Sequence, residues 1–306
     1  MAVSSGNYWA AVEPVINRKL YGQPDGHKVK PQWSQIFHVS TDTEPQRSAF
    51  EFGGGARTLT LKPENTAVAQ SEIVQGPGKT WLTESFAAAT TISEELAMDA
   101  AGKYSKLVSA IGQLGEAARV FPELLTALML DNAFNSAFPQ TADGVEICGT
   151  HTLPGSAGTS ANEATTPAAL DQASLEQVRI ALKQIKGPSG NILPLRIRKL
   201  VVPSAYDVIA EKLRTTRQSV GDANNDDNVM HGTDSVTFDY LSSQLRWFAL
   251  TDHPEPAMGL FWDWIKKVTY VTDSPALLLQ KVFIAWARAR YGIVEWRHIF
   301  GVAFAG

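Results

Sequence analysis

The residues that could do chemistry are scattered along this chain, and none of the motifs they suggest is complete. Gly78-Lys79-Thr80 has the ending of a phosphate-binding P-loop, but the first glycine of that motif would fall at position 73, which is Ile73. The sequence contains no GxSxG, HExxH or GxGxxG pattern. We therefore predict no catalytic residue, no cofactor-binding residue and no enzymatic activity.

Metal-ligating patterns are equally incomplete. Asp222, Asn224 and Asp226 open like a calcium-binding EF-hand loop, but Asp227 stands where the loop needs Gly and Thr233 where it needs Glu. A solvated loop is predicted there, and Glu94-Glu95 and Asp226-Asp227 are interpreted as solvated pairs because sequence neighbours do not converge on one substrate. No two histidines lie three or four residues apart, so each is interpreted as a surface or loop residue: His27, His38, His151, His231, His253 and His298.

Composition narrows the class of protein. The chain has 306 residues, 44% hydrophobic and 19% charged, which predicts an ordered globular protein large enough for two lobes. A net charge of −4 argues against wrapping DNA through its phosphates. The one cysteine, Cys148, suits a reducing cytosol. We expect no signal peptide and no membrane span, since no basic and apolar leader and no window of 18 apolar residues is present.

The first 88 residues contain little that could form an independent core. Residues 1–44 carry Trp9, Tyr21, Trp33 and Phe37 without a helical or strand period, so we expect these aromatic residues to be buried on the same subunit or a neighbour. Residues 45–88 are predicted to form an extended hairpin. TLTLK (58–62) alternates between polar and apolar residues, as strands do, and Gly76-Pro77-Gly78 is typical of a turn. An isolated two-stranded ribbon is marginal in water, so this one is expected to lean on a surface outside its own lobe.

A long helix is predicted next. Thr91 to Glu94 fits a capping box, and Pro122 is expected to kink or divide the helix. From 103 to 137 it would be ~50 Å long at 1.5 Å per residue. Its narrow apolar seam repeats at intervals of four and three: Leu107, Ile111, Leu114, Ala118, Phe121, Leu125 and Leu128. This pattern favours a spine along an elongated lobe over an ordinary core helix.

The second half alternates between helices and strands. Residues 144–169 read as a loop or domain boundary, and a helix is predicted to begin at a capping box over 174–177 and to end at Gly187-Pro188. Its inward face is Leu175, Val178, Leu182 and Ile185. Leu200 to Val202 is predicted to be a buried strand, and Pro203 is predicted to begin a helix with Ala205, Val208, Ile209 and Leu213 on its inward face. The C-terminal third reads as strands rich in aromatic residues.

The order of these parts resembles the major capsid proteins of tailed bacteriophages, with the Hong-Kong-97-type fold, and among them the Mu-like major head subunits most. The resemblance runs from about residue 33 to the end. Four stretches carry it: GTHTLPGSAGTSANEATTPAALDQASLEQVRIAL, KLVVPSAYDVIAEKL with GDANNDDNV, RWFALTDHP, and KVFIAWARARYGIVEWRHIFG.

The resemblance implies an α+β plan with four parts. These are an N-terminal arm (1–44), an E-loop hairpin that reaches over an adjacent subunit (45–88), a P-domain with the spine helix (89–164 and 256–306), and an A-domain near the five-fold and six-fold axes (165–255). PLRIRKLVVPSAYDVIAEKL would then be A-domain architecture, and no ligand site is expected at Pro203.

The implied function is that of a major capsid protein that self-assembles into hexamers and pentamers, forming an icosahedral phage shell around double-stranded DNA. Its expected partners are itself, scaffolding, portal and decoration proteins, and packaged DNA contacted non-specifically, with no membrane and no cofactor. We expect a scaffold separate from the chain, or none, and we predict assembly in the bacterial host cytoplasm and a final place in the virion. An encapsulin-like compartment and a soluble α/β enzyme remain as alternatives.

Overall fold

The computed structural model describes residues 31–55, 58–59, 61–68, 70–93, 104–156, 158–218, 227–228, 230–273 and 280–304. Several sequence predictions concern residues outside these ranges. They are those for Trp9, Tyr21, His27, the Glu94-Glu95 pair and the loop at 222–226.

Two long C-terminal strands build the first sheet. β10 (Leu260–Asp273) and β11 (Gln280–Ile293) pair antiparallel. β1 (His38–Thr41) runs parallel to β10, and β4 (Glu84–Ser93) runs antiparallel to β11. The order β1-β10-β11-β4 makes β1 and β4 the edge strands. Alternate residues of β11 are buried, which is the period expected of a sheet covered on one face.

The predicted spine is α1 (Tyr104–Asp131), a helix of 28 residues that packs across β4 and β11. Ile111 and Leu114 contact a small core on these strands. Further along, Met129 and Leu130 join the main core of the molecule, which surrounds the fully buried Trp262.

The structure corrects several details of the helix prediction. Thr91 to Ser93 end β4 and do not cap a helix, because their ladder with β11 outweighs a four-residue capping signal. The helix ends at Asp131 and is not divided at Pro122, since packing of the flanking Phe121 against the main core offsets one lost backbone hydrogen bond.

The far end of the predicted seam also differs. Leu128 is exposed, whereas Ala127 and Leu130 are buried. A straight helix has 3.6 residues per turn, so a seam spaced at 3.5 drifts off the buried face within a few turns.

A second sheet contains β7 (Ile197–Val202), β8 (Asp234–Thr237), β9 (Trp247–Thr251) and β12 (Ile299–Val302). Its order is β12-β9-β7-β8, so the C-terminal strand joins strands from the predicted A-domain span. The helices α2 (Gln172–Leu182) and α3 (Asp207–Thr215) pack on it through a second apolar cluster that includes Trp247 and Trp296.

The two short helices begin differently from their predictions. α2 is capped by Asp171, with Ser174 as the reciprocal partner three residues on, and it ends at Leu182 rather than at Gly187. Its predicted inward face of Leu175, Val178, Leu182 and Ile185 is buried, which confirms that part of the prediction.

The inward face of α3 is rotated from the one predicted. Tyr206, Ala210 and Leu213 are buried, whereas Ala205 and Val208 are exposed. A one-turn 3-10 helix, Ser204–Tyr206, comes between Pro203 and α3 and turns the chain before the helix begins. The remaining 3-10 helices are Trp33–Gln35, Pro154–Ser156, Pro256–Met258 and Trp296–His298.

The hairpin predicted within 45–88 contains β2 (Gln46–Phe50) paired antiparallel with β3 (Gly78–Leu82). We call this pair, together with residues 51–77, the ribbon. TLTLK is not a strand in its described residues, because no strand in the described part of the chain lies beside it to complete a ladder. A second short hairpin, β5 (Thr150–Thr152) with β6 (Thr159–Ala161), lies in the predicted loop at 144–169.

Candidate functional site

The outer part of the ribbon exposes large apolar side chains. Leu59 is 97% exposed, Leu61 95%, Ile73 89% and Val68 66%. Four such side chains within 15 positions are unusual, since a soluble monomer rarely gathers exposed apolar residues in one place without a partner. The ribbon is therefore the strongest candidate for a surface that another molecule covers.

A buried charge network holds the base of the ribbon. The Arg290 Nε donates to the Asp263 carboxylate at 2.9 Å, and both side chains are almost fully buried. Arg47, on β2, contacts the same carboxylate at 3.2 Å and stacks over the Phe261 ring at 4.1 Å. Arg290 also pairs with Asp42, whose pKa is held below its usual value by the Glu44 backbone N–H and by the Arg290 charge.

Glu51 is buried and follows β2 directly, at the point where the pairing of β2 with β3 ends. Its backbone N–H donates to Pro77 O at 2.9 Å, which closes the ribbon across its base. The Glu51 side chain has an Oε1 atom without a hydrogen-bond partner. Burial, followed by repulsion from Glu295 and Asp143, raises its pKa to about 9, so this carboxyl is neutral at pH 7.

The next residue, Phe52, fastens the ribbon to the C-terminal turn. Its backbone N–H donates to the Glu295 carboxylate at 3.2 Å, and Glu295 is itself paired with the buried Arg297. The Phe52 ring lies 5.4 Å from that of His253. Because the backbone and the ring are both held, the ribbon leaves the body in a defined direction.

The middle of the ribbon rests on two turns of the same chain. The Gly55 backbone N–H donates to Ser189 Oγ at 3.0 Å. A Cβ on Gly155 would meet a Val74 methyl at 3.0 Å. The ribbon therefore extends past the side of the molecule that carries residues 154–155 and 188–189.

The last part of the predicted arm is anchored to the spine helix. The buried Glu123 carboxylate accepts the backbone N–H groups of Gln32 and Trp33, both at 2.9 Å. Burial raises the Glu123 pKa, and these two donors oppose that rise. The Trp33 ring lies 4.8 Å from that of Trp262, so this aromatic residue is buried on its own subunit.

An apolar groove of about 520 Å³ lies between β4 and α1. Its walls are formed by small and aromatic side chains, with Leu124 exposed to 55%. It is lined by Ser85, Phe86, Ala87 and Ala88 of β4, by Ala117, Ala118, Val120, Phe121 and Leu124 of α1, and by Val268, Ala285, Trp286 and Ala287 of β10 and β11. We call this the β4 groove.

The incomplete P-loop motif has a structural role in this fold. Gly78-Lys79-Thr80 lies in β3, where extended backbone cannot form the loop that cradles a phosphate. The Lys79 Nζ donates to Gln140 O at 2.9 Å, and burial lowers its pKa. This lysine therefore fastens the ribbon to the turn after α1.

The interpretation of every histidine as a surface or loop residue is wrong for His151 and His298, which are buried in β5 and in the 3-10 helix Trp296–His298. His253 does lie in a loop, but it is buried as well. His151 pairs with Asp143 and stacks on Trp296 at 4.3 Å, a contact between residues 145 positions apart in sequence. Burial lowers the His298 pKa to about 3, so this imidazole is neutral at pH 7.

Sequence reasoning missed the anchoring residues Glu51, Glu123 and Asp263. Each is a single carboxylate in an ordinary local context. The only signal was an acidic residue within an apolar strand pattern, as in LFWDW around Asp263. Their partners lie far away in sequence, so no spacing rule could have found them.

Neither a metal centre nor a membrane span emerges from the described ranges. Within them, no three His, Cys, Asp or Glu side chains are grouped to hold an ion. No helix there is long and apolar enough to cross a membrane.

Comparison with known proteins gives a fold. No protein-family model and no curated protein matches the sequence. Among solved structures, the capsid of an empty GTA particle is 13% identical with a TM-score of 0.52, and the match covers 100% of both chains. The capsid of the cyanophage P-SCSP1u is 12% identical with a TM-score of 0.52 over 94% of both chains. A chain from Microbacterium phage Oxtober96 is 12% identical with a TM-score of 0.50 over 99% of both chains.

These matches span nearly the whole of each chain. The structure also contains the spine helix and the ribbon that the sequence predicted, together with two sheets. The chain has the Hong-Kong-97-type capsid fold, which confirms the predicted α+β fold class. The closer resemblance to Mu-like head subunits stays a prediction.

Proposed function

We propose that this protein is a major capsid subunit, which assembles into hexamers and pentamers and then into an icosahedral shell around phage DNA. The fold supports this proposal, and the capsids named above have the same fold. One observation carries it within the chain itself. The ribbon has a firmly anchored base and an apolar outer part that its own subunit leaves exposed.

That combination suits assembly better than it suits ligand binding. A ribbon held at its base by buried charges keeps its direction, so its apolar outer part can meet a neighbour without first being ordered. Many modest contacts of this kind, repeated around a symmetric lattice, produce a stable shell by multivalency.

The four-part plan is part of the proposal. Residues 1–44 act as the arm, 45–88 as the E-loop, 89–164 with 256–306 as the P-domain, and 165–255 as the A-domain at the capsomer axes. The Glu123 contact with Gln32 and Trp33 supports a separate arm that is anchored to the spine.

The proposal extends to the activity, the charge, the partners and the location of the subunit. The subunit is structural and performs no enzymatic reaction. Its net charge of −4 suits a shell that encloses DNA without gripping it. Scaffolding, portal and decoration proteins are its proposed partners besides itself. Assembly takes place in the bacterial cytoplasm, and the finished protein resides in the virion.

Negative-stain electron microscopy of the expressed protein tests the proposal, together with an assay of nuclease-protected nucleic acid in particles from the native source. We expect rings or closed shells, with protected DNA in native particles. A variant in which a short Gly-Ser turn replaces residues 57–71 should fold but not assemble, and a Gly-Ser segment of the original length separates loss of side chains from loss of reach.

Other outcomes would change the conclusion. Native shells that enclose protein and no DNA would identify an encapsulin-like compartment. Subunits that stay monomeric under all assembly conditions, even with a candidate scaffold, would overturn the capsid proposal and return attention to a soluble α/β enzyme.

A further inference from the structure

The edge strand β4 is long and carries few of the residues that usually protect such an edge. It has ten residues, ESFAAATTIS, with a single charge at its start and neither Lys nor Pro. It pairs with β11 on one side, and in the described part of the chain no strand lies on the other. Natural sheets usually protect such an edge with charges, prolines or a covering element, because unpaired backbone groups invite another strand.

The β4 groove lies beside this open edge. Phe86 faces α1 and contacts Phe121, with ring centroids 5.3 Å apart, so even-numbered residues of β4 point to the helix side. A strand added outside β4 would place every second side chain on that same side. Those side chains would enter the groove next to Ala117 and Leu124.

The same chain carries a segment that could pair with this edge and fill this groove. TLTLK has the strand period, and its two leucines lie two positions apart, so both would point to one face of a strand. Its described residues are not assigned to a strand, and Leu59 and Leu61 are 97% and 95% exposed. Among the residues that the structure describes, the two leucines therefore lack the apolar partner that an edge strand with a groove provides.

The ribbon carries this segment away from the β4 of its own subunit. β3 ends at Leu82, just before β4 begins. Val74, which is bridged to Gly54, lies eight residues before Leu82 in the sequence. Extended chain covers about 26 Å over that length at 3.3 Å per residue. Since the middle of the ribbon rests on residues 154–155 and 188–189, the natural recipient is a second copy.

We infer that the segment containing Leu59 and Leu61 of one copy adds as a fifth strand to the free edge of β4 in a second copy, with both leucines in the β4 groove. This inference rests on the proposed function, and it names the surface on which the ribbon acts. The contact is head-to-tail, because it joins two different surfaces, and head-to-tail contacts close into rings such as hexamers and pentamers when the rotation allows.

Cysteine trapping in assembled particles tests the inference. The native Cys148 is buried, so introduced cysteines report alone. We would combine Leu59→Cys or Leu61→Cys with Ala88→Cys, which lies on the helix side of β4, and oxidise the particles. One of the two combinations should give an inter-subunit disulfide, because residues opposite each other on one face bring their Cβ atoms within reach.

The matched control is Ala89→Cys in the same two backgrounds. Ala89 is equally small and exposed but points to the opposite face of β4, so these pairs should stay unlinked. Equal linking at positions 88 and 89, or linking at neither in well-formed particles, would overturn the inference and leave the capsid proposal intact. If the wild-type chain never assembles, the capsid proposal itself has failed.

A second measurement on the wild-type chain covers the case in which the cysteine variants do not assemble. Amide hydrogen exchange is compared between unassembled subunits and particles. We expect slower exchange on assembly in residues 58–62 and in β4 together, by at least tenfold. Unchanged exchange in β4 would contradict the added strand, whatever happens in the ribbon.

Discussion

At the scale of single residues, the ionisable side chains that matter are buried at the base of the ribbon. Asp263 and Arg290 are 1% exposed and lie opposite each other near the start of β10 and the end of β11, and Arg47 brings β2 to the same carboxylate. A buried ion pair contributes little net stability, but removing one of its two partners is strongly destabilising. The network therefore specifies the position of the ribbon more than it stabilises the sheet.

Asp263→Ala should leave the position of the ribbon less well defined. Arg290 would keep its buried charge and its contact with Asp42 but lose the buried carboxylate, and Arg47 would lose the same partner. We expect the free energy of unfolding to fall by about 3 kcal/mol. Urea unfolding of the unassembled subunit measures this. The control Glu116→Ala breaks an exposed pair with Arg119 and should cost about 0.5 kcal/mol or less. Equal losses in both variants would contradict the role assigned to Asp263.

Glu51 makes the stability depend on pH. The folded state holds its proton up to about pH 9, whereas the unfolded chain releases it near the ordinary value of 4.5. Folding therefore binds a proton in this window, and its contribution to stability, complete below pH 4.5, is lost as pH rises through 9.

Glu51→Gln should therefore flatten the pH dependence. The amide cannot ionise, so the loss of about 2 kcal/mol expected from pH 7 to pH 9 should shrink markedly. Denaturant unfolding at both pH values measures the difference. The exposed Glu72→Gln should leave the wild-type profile unchanged, and a Glu51→Gln profile as steep as that of the wild type would argue against a neutral Glu51.

At the scale of elements, close backbone contact decides where the ribbon closes. A Cβ on Gly76 would lie 2.4 Å from Glu51 O, and only a residue without a side chain allows this approach. Around Gly55, by contrast, nothing lies within 4 Å of the Cβ position. A side chain is thus excluded at Gly76, whereas the position of Gly55 has room for one.

Gly76→Ala should open the base of the ribbon, and Gly55→Ala should not. We expect limited proteolysis to cut residues 51–77 at least tenfold faster in Gly76→Ala, because separating the two backbones breaks the Glu51–Pro77 hydrogen bond. Assembly should fail in the same variant and persist in Gly55→Ala. Equal cleavage rates in the two variants would mean that the base closes by other contacts.

At the scale of the whole molecule, charge governs how the proposed shell meets its contents. The net charge of −4 predicts little attraction to phosphates, since non-specific binding to DNA comes from neutralising them with Lys and Arg. Confinement by a closed shell needs no such attraction.

Purified subunits should therefore not retard double-stranded DNA in a mobility-shift assay at 150 mM salt. Lowering the salt to about 50 mM should add little, because few phosphates would be neutralised. A salt-dependent complex in the micromolar range would reveal a basic surface, and would contradict the proposal that the shell encloses DNA without binding it.

The sequence by itself determined the elements. Periodic patterns predicted α1, α2, β7 and the C-terminal strands, because these segments are long or strongly apolar and their local preference agrees with their final environment. The fold class followed from the resemblance of four stretches of the sequence to a known capsid family. It failed at local signals of three or four residues, such as the capping box at 91–94, where long-range strand pairing outweighs a cap.

Only the tertiary structure decided which residues form the base of the ribbon and which surfaces remain open. Asp263 with Arg47, Glu51 with Glu295, and Phe52 with His253 are each more than 200 positions apart. No period relates such pairs, since they meet only after both sheets have formed. The open edge of β4 and the exposed Leu59 and Leu61 are likewise visible only once the described strands and helices have been placed around them. TLTLK has the pattern of a strand, but a strand forms only where a second backbone accepts its hydrogen bonds.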